Sequence, residues 1–306
     1  MHILISGGSG FIGQALVNYF LTQGQQLSVI SRNKEKLQLL FGAQVNSLDW
    51  SELALGANHC QPDVVINLAG ENIAGGLWTQ AKKQKLHTSR MMATLQLVDF
   101  VKKLPSKPQC FISASGVTIY PPSTEICTED TEVTNPAGQG FLRQLAWDWE
   151  QALLPLQGTG IRVVNLRLAP VLGASGGMLK QLLWPYKLGL GGRLGTGQQP
   201  FPWVALPDVV RAVDFIIQSG LSGAVNMVAP ELVDQITFAK TLASVLHRPC
   251  IFAMPEWLLR KLFGQMAEEL LLNGVKVMPV RLLQAGFEFK YPTLAQALGR
   301  GTFSPP

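Results

Sequence analysis

Short apolar runs alternate with segments of helical periodicity through the first half of the chain. The apolar runs predict strands at 2–6, 27–31, 63–70, 109–115 and 160–168. Between them, apolar residues recur at three- and four-residue spacing and predict helices at 11–23, 78–104 and 139–156. Continuous apolar strands that alternate with helices are typical of a parallel sheet covered on both faces. The pattern therefore predicts an α/β, doubly wound sheet, which binds ligands at the carboxyl ends of its strands.

The pattern changes after Gly173. Residues 188–203 read LGLGGRLGTGQQPFPW, which is rich in glycine and poor in residues that form regular elements. Helical spacing returns at 207–218, 235–247, 256–263 and 266–272. We predict a sheet domain over 1–173 and a smaller C-terminal α/β substrate lobe over 174–306 that closes over it, with 207–228 able to pack back on the sheet.

A glycine triplet lies between the first strand and the first helix. ISGGSGFIG places Gly7, Gly10 and Gly13 at this turn. Glycines there permit a tight turn, close approach of a diphosphate and close packing of helix on sheet. The helix N-terminus adds free N–H groups and a partial positive charge. The turn predicts a Rossmann dinucleotide site that also includes Phe11 and Ile12, the alternative being a structural turn without a ligand.

The end of the second strand predicts the choice of cofactor. Ser31 and Arg32 stand about 19 residues after Gly13, where an NAD-preferring site would carry Asp or Glu on the ribose 2′-hydroxyl. A guanidinium presents a fork of N–H donors that suits a phosphate, whereas a carboxylate would repel one. We therefore predict NADP as the cofactor; the alternative for Arg32 is a solvated surface arginine.

Further cofactor contacts are predicted near the carboxyl ends of the strands. Asp49 and Trp50 border the expected third strand and the adenine. Lys85 and Arg90 on the long helix are candidates for cofactor phosphates, although solvated helix charges are the commoner case. The remaining cofactor candidates follow the other strands: Leu68, Ala69, Gly70, Ser113, Pro170 and Val171.

Composition narrows the classes of function. The chain has 306 residues, 47% hydrophobic and 15% charged, which indicates a well-buried core. A net charge of +5 without long basic runs argues against nucleic acid. Four separated cysteines argue against a metal or a disulfide framework and fit a reducing cytoplasm. No leader and no apolar stretch of about 18 residues is present. We expect a cytoplasmic monomer or homodimer that binds a small molecule and neither nucleic acid, membrane nor metal.

The chain resembles the extended short-chain dehydrogenase/reductases, the superfamily of nucleoside-diphosphate-sugar epimerases. The motifs are GGSGFIG, NLAG at 67–70, SAS at 113–115 and NLRLAPVLG at 165–173. Within it, the chain is similar to the epimerase family proteins sometimes labelled cell-division-inhibitor-like, through NLAGENIAGGLWT, LGLGGRLGTGQQPFPW, GAVNMVAP and VMPVRLLQAGFEFKYPTLAQAL. This resemblance spans residues 1 to 300. It implies an NADP-binding Rossmann fold and a C-terminal segment of unknown function, and it supplies no substrate.

The superfamily resemblance also implies a serine and a Tyr-x-x-x-Lys pair that moves a proton. Ser115 matches the serine. The pair should lie on the helix at 139–156, where Phe141 or Leu142 and Leu145 or Ala146 stand instead. None of these side chains can carry a proton, so the sequence predicts that this helix is a packing element.

Other polar residues are the remaining candidates for chemistry. Tyr120, with Ser115, is a catalytic candidate, because a phenol can act as an acid if its neighbours depress its pKa; a Tyr that packs against the adjacent prolines is equally consistent. Glu71 and Asn72 follow the NLAG strand on the ligand side, and Trp203 and Asn226 are expected to shape the substrate pocket.

Three functions remain open from the sequence. The first is an NADP(H)-dependent, epimerase-like oxidoreductase that acts on a small polar or nucleotide-linked substrate. The second is a non-catalytic NADP(H)-sensing or regulatory protein. The third, a peripheral membrane protein that uses residues 257–263, is disfavoured because core packing explains their helical apolar spacing better.

Overall fold

A computed structural model describes residues 1–55 and 60–301. Its strands are β1 (His2–Ser6), β2 (Gln26–Ile30), β3 (Asn46–Leu48), β4 (Val64–Asn67), β5 (Cys110–Gly116), β6 (Ile126–Cys127), β7 (Arg162–Leu168), β8 (Val171–Leu172), β9 (Gly192–Leu194), β10 (Val204–Ala205), β11 (Gly223–Met227), β12 (Phe252–Met254) and β13 (Lys276–Val277). Its α-helices are α1 (Phe11–Thr22), α2 (Lys34–Phe41), α3 (Trp50–Ala54), α4 (Gln80–Lys103), α5 (Phe141–Gln151), α6 (Gly177–Lys187), α7 (Leu206–Ser219), α8 (Gln235–Val245), α9 (Glu256–Phe263), α10 (Gln265–Ala267), α11 (Val280–Gln284) and α12 (Leu294–Gln296).

Seven parallel strands form the central sheet in the order β3-β2-β1-β4-β5-β7-β11. Successive side chains of a strand point to opposite faces, and both faces of β1 are buried. Ile3 and Ile5 join a core with α1 and α7, whereas Leu4 joins a second core with α4. This burial on both sides explains the continuous apolar runs, and the predicted doubly wound α/β fold is confirmed.

The strand ends are in register at the ligand-binding edge. Ser6 at the end of β1 pairs with Asn67 at the end of β4, and Asn67 pairs with Ser113 in β5. The order of strands places β1, with its glycine turn, between β2 on one side and β4 and β5 on the other. Ligands of such sheets lie across the carboxyl ends of the strands.

The C-terminal lobe has a separate hydrophobic core. Its members include Leu172, Trp203, Phe238 and Leu298, packed between α6, α8 and the last helical turns. The strand pair β8–β10 contributes Leu172 and Ala205 to it, and β9, which pairs with β12, contacts α8. The pair β6–β13 lies in a different core, which contains Tyr120. The segment 207–228 lies with the sheet domain, because α7 packs on α1 and β11 is the edge strand beside β7.

Residues 188–203, which the sequence predicts as a glycine-rich loop, contain the short strand β9, which pairs with β12. The residues before them form helix α6, which the sequence did not predict and which buries Leu179 and Tyr186. Helical apolar spacing over 178–186 drives this helix, and the flanking glycines and Pro185 obscured that spacing in the sequence. Within the described ranges, no helix is long and apolar enough to cross a membrane.

We expect residues 174–203 to exchange amide hydrogens faster than the central sheet when no ligand is bound. Trp184 and Leu188 are exposed, and β9 pairs with β12 alone, so we expect β9 and the glycines beside it to open more readily than the strands of the seven-stranded sheet. Hydrogen exchange with and without NADPH measures this difference. Strong, uniform protection of the whole segment in the free protein would contradict its role as a lid.

Candidate cofactor and substrate site

The glycines of this turn let the chain pack tightly at the start of α1. Gly7 has φ +75°, and a Cβ there would lie 2.8 Å from the Leu68 carbonyl carbon. A Cβ on Gly13 would overlap the Gly7 carbonyl oxygen. Gly10 precedes α1 and offers no side-chain cap, so the N–H groups of the first turn, at Phe11 and Ile12, remain for a ligand. This turn fits a diphosphate.

The segment after β8 packs on the same turn. A Cβ on Gly173 would lie 2.7 Å from the Phe11 ring, and one on Gly177 would lie 3.0 Å from it. Pro170 accepts a hydrogen bond from the Val204 amide, and Val171 is buried in the core shared with α1. The structure therefore brings the predicted cofactor residues Phe11, Pro170 and Val171 to one end of the sheet.

The predicted adenine side lies at the ends of β2 and β3. The Arg32 side chain is exposed directly beyond β2, and the Ser31 hydroxyl accepts a hydrogen bond from the Asn33 amide. Asp49 caps α3, because its carboxylate accepts hydrogen bonds from the Ser51 and Glu52 amides. Trp50 is half-buried against the core below the sheet. These residues line one edge of the expected cofactor groove.

One carboxylate lies among several cations at the opposite edge of this groove. Glu71 accepts a hydrogen bond from Lys82 at 2.9 Å and lies 3.7 Å from Lys85. The hydrogen bond from Lys82 lowers the pKa of Glu71, and the charges of Lys85 and Arg32 lower it further. The negative charge of Glu71 also raises the pKa of Arg90, against the larger, lowering effect of burial. The surplus of positive charge suits a phosphorylated ligand.

The two predicted substrate residues after β4 have protein partners. The Glu71 carboxylate is held by Lys82 and Lys85, and its amide donates to the Ser89 hydroxyl. Asn72 is exposed, and its side-chain oxygen accepts a hydrogen bond from the Ala74 amide. Glu71 therefore acts locally as a counter-charge to the groove cations.

A buried polar network joins the ends of β1, β4 and β5. Ser6 donates to Asn67 at 2.7 Å, and Asn67 donates to Thr94 at 2.8 Å and to Ser113 at 3.1 Å. Trp149 also donates to Thr94, at 2.9 Å. Ser113, a predicted cofactor residue, is thus enclosed by protein. This network was not predicted from the sequence. The polar Asn67 at the end of an apolar strand was the one signal of it.

A second buried network contains the two catalytic candidates. Ser115 donates to Glu150 at 2.9 Å, and Arg167 donates to both oxygens of Glu150 at 2.9 Å. Arg167 also donates to the Tyr120 hydroxyl at 2.9 Å, and Tyr120 donates to Asn226 at 2.7 Å. The ion pair is buried, with side-chain exposures of 7% for Arg167 and 9% for Glu150. We call these five residues the Glu150 network.

Tyr120, for which the sequence left a catalytic and a packing role open, is enclosed by protein. Its side chain is 1% exposed, and burial raises its pKa although Arg167 and Asn226 oppose the rise. The phenol therefore stays protonated at neutral pH, and its proton is directed at Asn226. For Arg167, burial alone would lower the pKa, but the hydrogen bond and charge of Glu150 raise it. This enclosure counts against Tyr120 as an acid that touches a substrate.

The two predicted pocket residues lie in cores instead. Trp203 is 0% exposed in the core of the C-terminal lobe. Asn226 on β11 is equally buried, and its amide group donates to the Met278 carbonyl while its oxygen accepts from Tyr120. An aromatic and an amide beside a glycine-rich loop suggested a pocket, but Trp203 packs inside the C-terminal lobe and Asn226 joins β11 to Tyr120 and Met278 by hydrogen bonds.

Helix α5 is a packing element at the positions of the missing pair. Leu142 and Ala146 are each 4% exposed. Leu142 packs with Leu86 and Leu145 between α4 and α5. Ala146 packs with Tyr120 and with the 3-10 turn Val117–Ile119. Neither position presents a titratable group to the groove.

A cavity of about 280 Å³ lies beyond the carboxyl end of β11. Residues that line it include Pro200, Phe201, Val228, Glu231 and Lys276. Glu231 already accepts from the Leu294 amide, and Lys276 donates to the Thr124 carbonyl. The cavity shares no lining residue with the glycine turn, so it is a separate feature of the C-terminal lobe.

The strand order, the glycine turn and the cationic groove define a dinucleotide-binding Rossmann protein of the extended short-chain dehydrogenase/reductase type. Residues 3–228 match the NAD dependent epimerase/dehydratase family, and the chain belongs to that family. Residues 254–300 match a domain of unknown function, DUF1731. The family resemblance and its C-terminal segment, both predicted from the sequence, are confirmed.

Relatives match the chain over nearly its whole length. Epimerase family protein YfhF of Bacillus subtilis is 34% identical over 304 residues, covering 98% of this chain and 97% of the relative. The crystal structure of human epimerase family protein SDR39U1 with NADPH is 32% identical, with a TM-score of 0.89 and coverage of 98% and 99%. A nucleoside-diphosphate sugar epimerase of Corynebacterium glutamicum is 27% identical, with a TM-score of 0.74, and is covered over 59% of its length. The predicted cofactor agrees with that of the human relative.

Proposed function

We propose that this chain binds NADP(H) and transfers hydride to or from a small polar or nucleotide-linked substrate. The observation that carries the proposal is the cationic groove, in which Lys82 and Lys85 pair with the Glu71 carboxylate and the charges of Arg32 and Arg90 interact with it electrostatically. An additional phosphate on the ribose is the ligand group that such a surplus favours. The NADPH in the human relative's structure supports the same cofactor.

The groups that would hold the cofactor fit it in size and charge. Gly7 and Gly13 let the turn pack tightly against Leu68 and against itself, which leaves the first N–H groups of α1 to bind a diphosphate. The exposed Arg32 guanidinium can form a bidentate contact with a 2′-phosphate. When bound, NADP(H) would supply or accept the hydride. Its nicotinamide half would lie toward β4 and β5, the side of Ser115.

Ser115 is the hydroxyl that we assign to the substrate. A serine hydroxyl has one proton to donate, and Ser115 gives it to Glu150. Toward a ligand it therefore offers lone pairs, which can accept a hydrogen bond from a substrate hydroxyl and orient it. Tyr120 supports this arrangement indirectly, because its hydroxyl accepts a hydrogen bond from Arg167, which in turn binds Glu150. Without an acid at Leu142 or Ala146, the reaction should be slow, since such assistance is typically worth ~10²–10⁴-fold.

We expect Ser115→Ala to slow single-turnover oxidation of bound NADPH by roughly five- to tenfold, the equivalent of a hydrogen bond of about 1–1.5 kcal/mol. The measurement uses a broad panel of carbonyl compounds and nucleotide sugars. Ser222→Ala, at the exposed amino end of β11, is the matched control and should leave the rate unchanged. If a turnover is found and Ser115→Ala combined with Tyr120→Phe leaves it unaffected, this assignment is wrong.

A second function is favoured by the enclosure of Tyr120 and by the apolar side chains of Leu142 and Ala146. These features suit an NADP(H) sensor that closes on its cofactor without chemistry. Binding of NADPH in the micromolar range or tighter, with no turnover on any member of the panel, would support the sensor and overturn the oxidoreductase.

A further inference from the structure

Arg143 is a buried cation that has no carboxylate partner among the described residues. Its side chain lies on α5 and is 7% exposed. Its Nε donates to the Ile119 carbonyl at 3.1 Å, and its Nη1 donates to the side-chain oxygen of Gln139. Both partners are neutral, so neither contact balances the charge of the guanidinium.

The third guanidinium nitrogen, Nη2, is available to a ligand. It donates to none of the described residues, and it is not one of their buried polar atoms without a partner, so it keeps contact with solvent. Burying a charged group costs free energy unless a partner compensates it. A guanidinium presents its donors in a planar fork that matches the oxygens of a carboxylate or a phosphate. Arg143 therefore points to a ligand that carries an anionic group.

The position of Arg143 relates it to Ser115. Arg143, Ala146 and Glu150 are spaced three and four residues apart, so they lie on one face of α5. This face meets β5 and the 3-10 turn that follows it, because Glu150 accepts the proton of Ser115 and Arg143 binds the last carbonyl of the turn, at Ile119. Seven residues span about 10 Å of helix. Arg143 thus lies along the same face as the Ser115 contact, two turns nearer to the start of α5.

The acid at the start of α5 is committed to other partners. Glu269 in the C-terminal segment accepts hydrogen bonds from the Phe141 and Leu142 amides, and its Oε1 also accepts from Gln265. A helix N-terminus carries a partial positive charge, which the Glu269 carboxylate meets. The full charge of Arg143 remains uncompensated, at the end of the helix that the C-terminal lobe covers.

We propose that Arg143 binds an anionic group of the substrate, a carboxylate or a phosphate, while Ser115 orients the hydroxyl at the reacting carbon. The inference rests on the proposed oxidoreductase function and narrows its substrates to anionic compounds. Because two helical turns separate Arg143 from the residue that binds Ser115, the anionic group lies several bonds from the reacting carbon. Arg143 positions the substrate and takes no part in moving the proton.

Binding of simple anions to the NADPH-saturated protein tests the site without turnover. Inorganic pyrophosphate is the phosphate probe, succinate is the carboxylate probe, and isothermal titration measures both. At least one probe should bind to the unmodified protein, and the tighter of the two identifies the preferred group. Arg143→Gln, which keeps an amide donor near the Ile119 carbonyl, should weaken that probe by roughly tenfold or more and change NADPH affinity by less than about twofold. Arg143→Lys should recover part of the loss.

The matched control is Arg162→Gln. The Arg162 guanidinium also donates to backbone carbonyls, those of Ile216, Ile217 and Leu221. Arg162 begins β7, so it lies at the amino ends of the strands, on the opposite edge of the sheet from the cofactor turn. The substitution removes the same charge and similar contacts. It should leave the affinity for both probes unchanged, even where it lowers the unfolding temperature.

Turnover distinguishes a substrate contact from a structural one. Every compound of the carbonyl and nucleotide-sugar panel that oxidises bound NADPH should carry a carboxylate or a phosphate. Arg143→Gln should raise its KM by roughly tenfold or more and change kcat less, as for loss of a binding contact. A structural arginine would instead lower kcat, NADPH affinity and the unfolding temperature together.

Three results would overturn the proposal. The first is the same affinity for both probes in Arg143→Gln as in the unmodified protein, including no binding to either. The second is an equal loss in Arg143→Gln and Arg162→Gln, which marks a general effect of charge or stability. The third is turnover of a neutral substrate that Arg143→Gln leaves unchanged. Binding of NADPH without turnover of any compound would refute the proposed oxidoreductase, and the anion titrations would still decide whether Arg143 binds an anion.

Discussion

Glu150→Ala should lower the free energy of unfolding by about 3–5 kcal/mol, the usual cost of removing one partner of a buried ion pair. The substitution leaves Arg167 buried and charged, and it removes the acceptor of Ser115. The hydrogen bonds of Tyr120 and Asn226 then connect to an arginine that has lost its ion-pair partner. Urea denaturation followed by circular dichroism measures the change.

The matched control is Asp130→Ala. Asp130 pairs with Arg281 at 3.2 Å, but its side chain is 80% exposed, so its loss should cost no more than about 1 kcal/mol. Glu150→Gln, which keeps an acceptor for Ser115, should lie between the two. An unfolding midpoint for Glu150→Ala equal to that of the control would show that the Glu150 network does not stabilise the fold.

Arg32→Asp should weaken NADPH binding by roughly ten- to hundredfold, because it removes a charge-assisted contact of about 1.5–3 kcal/mol and adds repulsion. NADH binding should be unchanged or improved, since a carboxylate at this position can accept from the ribose 2′-hydroxyl. Isothermal titration with both cofactors measures the two affinities.

The control for Arg32→Asp is Lys36→Asp, which makes the same change in charge on the exposed face of α2. It should alter NADPH affinity only slightly and only at low ionic strength. Equal losses in the two variants would mean that Arg32 acts through the general field of the groove and makes no direct contact with the 2′-phosphate.

The sheet and the cofactor turn could be predicted from the sequence because their causes are local. Strands buried on both faces must be continuously apolar, as VVIN in β4 is. The turn requires Gly7 and Gly13, where a Cβ would collide with backbone. Arg32 could be placed because it follows β2 directly.

The Glu150 network could not be predicted, because its causes are distant in the chain. Glu150 reads as the polar face of an amphipathic helix, and Arg167 reads as an interruption of an apolar strand. Only the packing of α5 against β5 and β7 brings them together with Ser115. The sequence left a catalytic and a packed Tyr120 equally open for the same reason, since its partner Asn226 lies 106 residues away.

Arg90 was predicted as a candidate for cofactor phosphates, but its burial could not be predicted from the sequence. In the sequence it is one of several basic residues on a long helix, and solvated charge was the commoner interpretation. Burial against Gly70 and Trp149 and the unpaired Nε distinguish it from Lys82 and Lys85, whose charges meet Glu71.

We infer that the groove binds NADP(H) and that it prefers NADPH over NADH because of the phosphate on the adenine ribose. Isothermal titration of the unmodified protein with NADPH and with NADH, in one buffer and at one ionic strength, tests it most directly. NADPH should bind at least roughly tenfold more tightly than NADH, the value of one charge-assisted contact. Equal affinities for the two cofactors would contradict it.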